Sequence, residues 1–319
     1  MHVGRLSQDM EMSHTQTQSF RITLGPLLYY WPRDTVFSFY ETAAEWPVDT
    51  VYLGETVCSK RFELRPDDWL AIAAKLADAG KEVVLSTCEL IESESDLRLL
   101  RRVTSNGRFL VEANDLGAVH LLAGKTPFVA GPHLNIYSRM PLDLYRELGA
   151  TRWVMPLELG RTGLGSIIDI PAHNLETEVF VHGRLPLAVS ARCFTARYNN
   201  QSKDDCGFRC IEYPDGLTVS TQDNQSFLVL NGLQTQSARV YDLYRELDEL
   251  VGLGATHLRI SPQSVGTGEV VKAFHTAACG RNVADAGPLP WYSEDTCNGY
   301  WYGRPGLEQV NRAACREMA

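Results

Sequence analysis

Short apolar runs rich in β-branched residues alternate along this chain with segments whose apolar positions recur every three to four residues. Runs of the first kind, bounded by turn formers, suit strands buried on both faces, and segments of the second kind suit helices with one buried stripe. The pattern predicts strands over 20–24, 50–53, 82–86, 108–112, 128–131 and 151–156, with helices over 34–45, 66–79, 95–103, 117–123 and 142–148 between them. Gly80, Gly107, Gly124 and Gly149 stand where these helices should stop, because a residue without Cβ closes a helix in the left-handed conformation at little cost. Further on, strands are expected over 178–182, 187–190 and 257–260, and helices over 240–250 and 269–278.

About eight strands, most followed by a helix, favour a (β/α)8 TIM-barrel-like α/β fold, complete or imperfect, over an open doubly wound sheet. The rhythm breaks at 192–231, where a polar Cys-containing loop precedes two extended runs around Pro214-Asp215-Gly216, read as an inserted hairpin. Residues 1–19 are polar and contain too little apolar surface to offset chain entropy, so a disordered extension is expected there. Residues 280–319 are rich in Gly, Pro, Trp and Tyr and read as a tail packed on the barrel-like domain of 20–279.

With 319 residues, 44% of them hydrophobic, the chain can bury a full core. Thirty basic against 39 acidic residues give a net charge of −9, which argues against nucleic-acid binding and against anionic membrane surfaces. No apolar run is long enough for a transmembrane helix and no secretory h-region is visible, so the chain reads as cytoplasmic. Eight cysteines in such a chain point to metal binding or buried thiols rather than to a disulfide framework.

Four of the eight form a constellation. Cys193 and Cys206 bracket a stretch too polar to be core, Cys206 and Cys210 enclose a short Gly-Phe-Arg turn, and Cys58 follows a predicted strand. In a barrel, the C-terminal ends of the strands form the reactive face. Four thiolates suit either a [4Fe–4S] cluster or structural zinc. One close pair with two more distant cysteines resembles a cluster more than the paired knuckles of a zinc ribbon, and reduced or redox-active thiols stay open as a third reading. Cys88 reads as a buried small hydrophobe, Cys279 and Cys315 as structural or incidental, and Cys297 as packing within the aromatic tail or a spare ligand.

Gly54-Glu55-Thr56-Val57-Cys58-Ser59-Lys60-Arg61, Ala191-Arg192-Cys193-Phe194-Thr195-Ala196-Arg197-Tyr198, the Cys206/Cys210 pair and Asn298-Gly299-Tyr300-Trp301-Tyr302-Gly303-Arg304-Pro305-Gly306 carry a family resemblance. In order and spacing, over about residues 20–310, they resemble the UbiV branch of the collagenase-like, unassigned-peptidase family, the oxygen-independent ubiquinone-biosynthesis proteins. The resemblance implies that Cys58, Cys193, Cys206 and Cys210 ligate a [4Fe–4S] cluster in a barrel-like fold. It also implies a heterodimer with a UbiU-like sister protein that hydroxylates ubiquinone precursors without dioxygen. A lipid-carrier accessory protein would hold the prenylated intermediate, and prephenate would be the oxygen donor.

Other groups carry weaker signals. Arg192 and Arg197 flank Cys193 and would offset the negative charge of a thiolate-ligated cluster. Glu55, Glu89, Glu112 and Asn114 fall near C-terminal strand ends, where they would bind substrate or a proton, or simply close loops and cap helices. His182 is a candidate acid or base with a structural alternative. Trp291, Tyr292, Tyr300, Trp301 and Tyr302 would cover the barrel mouth, line a partner interface or pack in the core. The zinc-helix motif His-Glu-x-x-His, a Gly-x-Ser-x-Gly elbow and the local catalytic-Cys signatures are all missing, which weighs against peptidase chemistry. The alternative to a redox subunit is a binding or scaffold subunit whose cluster or zinc stabilises the loop 192–210.

Overall fold

The computed structural model describes residues 20–168, 175–280 and 296–311. Eight parallel strands close into a barrel: β1 (Arg21–Leu24), β2 (Thr50–Leu53), β3 (Glu82–Ser86), β4 (Leu110–Ala113), β5 (Phe128–Ala130), β6 (Ala150–Val154), β7 (Glu176–Val189) and, after an insertion, β11 (His257–Ile260). The last strand pairs with both β1 and β7, so the barrel has no free edge. The expected TIM-barrel-like fold is therefore present. Helices α1 (Arg33–Ala43), α2 (Pro66–Asp78), α3 (Glu94–Thr104), α4 (Leu116–Leu122), α5 (Arg139–Glu147), α6 (Arg161–Ile168) and α9 (Thr267–Ala278) follow the barrel strands. Between β7 and β11 the insertion holds α7 (Phe194–Tyr198), β8 (Leu217–Ser220), β9 (Ser226–Asn231), β10 (Gln234–Asp242) and α8 (Leu247–Gly252).

Alternation along each strand divides the buried residues between two cores. Val51, Leu53, Val83 and Leu85 face the helical layer and pack with Ile72, Ala73 and Leu76 of α2. Tyr52, Val84, Val129 and Val154 form a small separate cluster. Beside that cluster lie buried charges: Arg152, Glu178, Glu112 and Arg259 are each at most 4% exposed.

Buried charge is costly unless it is paired and hydrogen-bonded, and here the pairing is dense. Glu178 Oε1 accepts from Thr23 Oγ1 (2.8 Å) and Arg259 Nε (2.6 Å), while Oε2 accepts from the Tyr52 hydroxyl. Arg259 also reaches Glu112 at 2.8 Å and stacks on the Tyr52 ring, 4.1 Å from its centroid. Arg152 donates to Glu82, Glu176 and the Tyr52 hydroxyl.

Three expectations need correction. The strands read over 178–182 and 187–190 are one strand, β7, which continues through Gly183 and Pro186. A Cβ on Gly183, at φ 135°, would lie 2.6 Å from the Ser261 Cβ, and Pro186 sits beside register shifts where the ladder tolerates its missing N–H. Residues 240–250 are not one helix: 240–242 end β10, a 3-10 turn spans Tyr244–Glu246, and α8 begins only at Leu247. Finally, the hairpin turn lies between β8 and β9, with Asn224 at φ 59°, and Pro214–Gly216 is the turn that enters β8. The extension 1–19, Trp291, Tyr292 and Cys315 fall outside the described residues.

Burial penalises the Glu178 carboxylate, but Arg259 and Arg152 outweigh that penalty and hold it down to about 2. An unfolded Glu titrates near about 4.3, so the stability contributed by Glu178 is complete above that value and is lost as pH falls toward about 2. Glu178→Gln should flatten this acid limb in urea unfolding series at stepped pH. Glu178→Ala should lower stability by about 3–5 kcal/mol, since it leaves two buried guanidinium groups short of a partner.

Candidate functional site at the barrel rim

Cys58 is positioned by a tight turn after β2. Glu55 folds back so that Oε1 accepts from Val57 N (3.1 Å) and Cys58 N (3.0 Å), and Arg61 N donates to Cys58 O. Cys193 caps α7, its sulfur accepting from Ala196 N at 3.4 Å. The turn Cys206–Cys210 reverses through Gly207 (φ 55°) and Phe208 (φ 52°). A bulky residue in that region costs roughly 1–2 kcal/mol, and the Phe208 ring is held near Tyr30 and Phe62, at 6.1 and 6.3 Å between centroids.

Three of the four thiols influence one another, and the fourth, Cys206, is linked to them through Lys60. Cys58 and Cys193 pack against one apolar group of Leu28, Val57 and Leu233, and Cys193 raises the pKa of both Cys58 and Cys210. Lys60 feels Cys58 and Cys206, and Arg61 feels Cys58 and Cys210. Burial is the main influence on Cys58 and pushes its thiol up to about 11; it also raises Cys210. As they stand among the described residues, no group of three or more His, Cys, Asp and Glu side chains is arranged to hold a metal ion. The donor set nonetheless has the chemistry that zinc or an iron–sulfur cluster takes.

Arg61 is the buried cation of this rim, and the motif containing it was read without giving it a role. Its guanidinium donates to Leu28 O and Asn231 Oδ1, both at 2.8 Å, and lies 3.4 Å from Glu55. Arg192 and Arg197, expected to balance charge at Cys193, are exposed. Ion pairs Lys60–Asp204 and Lys203–Glu92 tie the Cys loop to the turns after β2 and β3.

At the mouth of the barrel, Glu89 Oε1 accepts from Gln234 Nε2 (2.6 Å) and meets His133 Nε2 at 3.0 Å. Gln236 and Tyr29 continue the chain of bonds beyond Gln234. Glu112 pairs with Arg259, and Asn114 donates to Thr87 O, while the neighbouring Asp115 caps α4. His133 escaped the sequence reading although it lies two residues beyond the predicted strand 128–131. Gln234 was not singled out either, since β10 itself went unpredicted. His182 bonds Asp242 at 2.9 Å and packs on Phe274 of α9.

Cys88 is buried beside Glu55 and Glu89, Cys279 is exposed, and Cys297 is buried in β12 (Thr296–Cys297), a short strand beside β10. Trp301 is buried with its Nε1 donating to Glu249, and Tyr302 stacks under Arg161. A cavity of about 840 Å³ opens near α2 and α3, lined by Leu64, Trp69, Leu70, Leu99 and Val103. Its lining reaches Glu55, Lys60, Arg61 and Cys88 next to the Cys rim.

Arg61→Lys should remove the fork that spans Leu28 O and Asn231 and lower stability by about 2 kcal/mol. Urea unfolding would measure the loss, and amide exchange should accelerate across 206–212.

Among solved structures, a U32 peptidase is 14% identical over 77% of this chain and 94% of its own, with a TM-score of 0.44. A Rubisco-like protein from Rhodopseudomonas palustris is 12% identical over 83% and 66%, at 0.45. Phospho-2-dehydro-3-deoxyheptonate aldolase from Thermotoga maritima is 12% identical over 82% and 68%, at 0.40. The profile of peptidase family U32 matches residues 37–285. That match spans well over half of the sequence and includes all four rim cysteines, and on it the chain belongs to peptidase family U32.

Proposed function

We propose that this protein is a UbiV-type [4Fe–4S] subunit, paired with a UbiU-like sister protein, that serves oxygen-independent hydroxylation of ubiquinone precursors. The observation that supports the reading is that Cys193 acts on both Cys58 and Cys210 at the barrel rim, with Arg61 beside Cys58 and Cys210 and Lys60 between Cys58 and Cys206. A cluster bound there supplies one-electron transfer, and four thiolates leave it no open position for substrate.

The chain's own residues have separate tasks in this reading. Glu55 fixes the Cys58 backbone, and Arg61 offsets negative charge gathered on the sulfurs. Cys58 and Cys210 would have to give up their protons to ligate a metal, since ligating sulfur must be thiolate and burial opposes bare ionisation. The 840 Å³ cavity lies in the size range of small-molecule sites, and its apolar lining suits an aromatic ring with an apolar chain. The lipid-carrier protein would deliver that ring and prephenate would supply the oxygen.

Cells lacking this chain and supplied with Cys58→Ala or Cys210→Ala should make no ubiquinone anaerobically. The same variants should still fold and still co-purify with the sister protein. Loss of folding or pairing in step with activity would assign the sulfurs a scaffold role instead. Leu99→Asp, inside the cavity, should cut anaerobic ubiquinone severalfold while leaving the iron content of the purified complex unchanged.

A further inference from the structure

Five buried polar atoms at the barrel mouth make no hydrogen bond: Glu112 Oε1 and Arg259 Nη2 meet as an ion pair at 2.8 Å, and Thr56 Oγ1, Glu89 Oε2 and Asn114 Oδ1 lack any partner. The side chains of the last three line one cavity of about 40 Å³, together with Glu112, His133 and Arg259. Thr56 is 1% exposed, Asn114 3%, and the Glu89 side chain 2%. Each orphaned buried group costs roughly 1–3 kcal/mol, so three around one small void mark a place where a bonding group belongs.

The bonds already made define what is missing. Glu89 Oε1 is taken by Gln234 and His133, the Asn114 amide nitrogen by Thr87 O, and Glu112 by Ser86 and Arg259. Acceptor oxygens and one hydroxyl remain, so the missing group donates. Arg259 pairs with Glu112, and His133, its pKa lowered by burial but held up overall by Glu89, pairs with that carboxylate, so the wall has no surplus negative charge to call for a cationic amine. A hard cation would take about six or more oxygens, which this wall does not offer. The volume exceeds the roughly 10–15 Å³ that one water needs, which is room for a hydroxyl group. His133, whose side chain is 24% exposed, is one of the wall residues that reach solvent.

We propose that the barrel mouth binds a small, uncharged or weakly charged hydroxyl-bearing molecule, inserting its O–H among Glu89, Asn114 and Thr56 beneath His133. This site is separate from the four cysteines and does not depend on what they hold. It borders them all the same, because Thr56 lies two residues before Cys58 and its carbonyl accepts from Glu89 N at 2.9 Å.

The test follows the His133 ring by NMR in the full chain labelled at histidine, its signals assigned with His133→Asn. Ethylene glycol is titrated as the hydroxyl probe and acetonitrile as a donor-free molecule of similar size. Saturable shifts with the diol and only linear drift with acetonitrile are expected. Glu89→Gln should weaken the diol about tenfold or more, the loss of a hydrogen bond to a charged acceptor. Linear drift with both solvents, the behaviour of a cavity that holds only water, would overturn the proposal, as would undiminished diol binding in Glu89→Gln. Should Glu89→Gln fail to fold, the two-solvent comparison in the unaltered chain decides by itself.

Discussion

The buried carboxylate of Glu178 is the contact on which the rest of the architecture leans. It lies on β7, and it is satisfied only when Thr23 of β1, Tyr52 of β2 and Arg259 of β11 all arrive in register. Of these strands β11 pairs directly with β7 to close the barrel, with β1 and then β2 next in order beyond it. A slip of one residue would turn Glu178 or Arg259 into the apolar helical layer, where neither charge has a partner. Closure and ion pairing therefore specify one another, and the fold at the seam is selected as much by the cost of wrong registers as by the strength of the right one.

That register determines what stands on the rim. β2 ends at Leu53, and the Glu55 turn then sets Cys58; β7 runs on past the barrel to Val189 and hands Cys193 to α7. The insertion that follows is anchored by Asn231 to Arg61 and by Gln234 to Glu89, so one bond fixes it to the Cys rim and another to the mouth. Family U32 membership and the barrel fit this picture without indicating chemistry, since a barrel face is a platform that many reactions share.

Much of this was legible in the sequence, for a physical reason. Thr50–Leu53 and Glu82–Ser86 were found to the residue because strands buried on both faces leave an apolar run with sharp polar ends, and His257–Ile260 was found although Arg259 interrupts it. Gly183 and Pro186 hid the length of β7, because their tolerance depends on a close approach to Ser261 and on register shifts against β10. Val240 and Tyr241 fit a helical stripe as well as a strand, and pairing with β7 decided the matter. At the site, sulfur spacing directs attention to Cys58, Cys193, Cys206 and Cys210, all of them partly exposed. The buried cation beside them was not legible, because burial of Arg61 arises from Leu28 and Asn231, distant in sequence, while Arg192 and Arg197, close to Cys193 in the chain, are exposed.

The central claim is that the four rim sulfurs hold an iron–sulfur cluster, and anaerobic purification followed by iron and acid-labile sulfide analysis, with electron paramagnetic resonance after dithionite reduction, tests it most directly. About four irons and about four sulfides per chain, with a reduced-cluster signal, are the predicted result. Zinc in their place, or a metal-free protein under strict anaerobiosis, would contradict it.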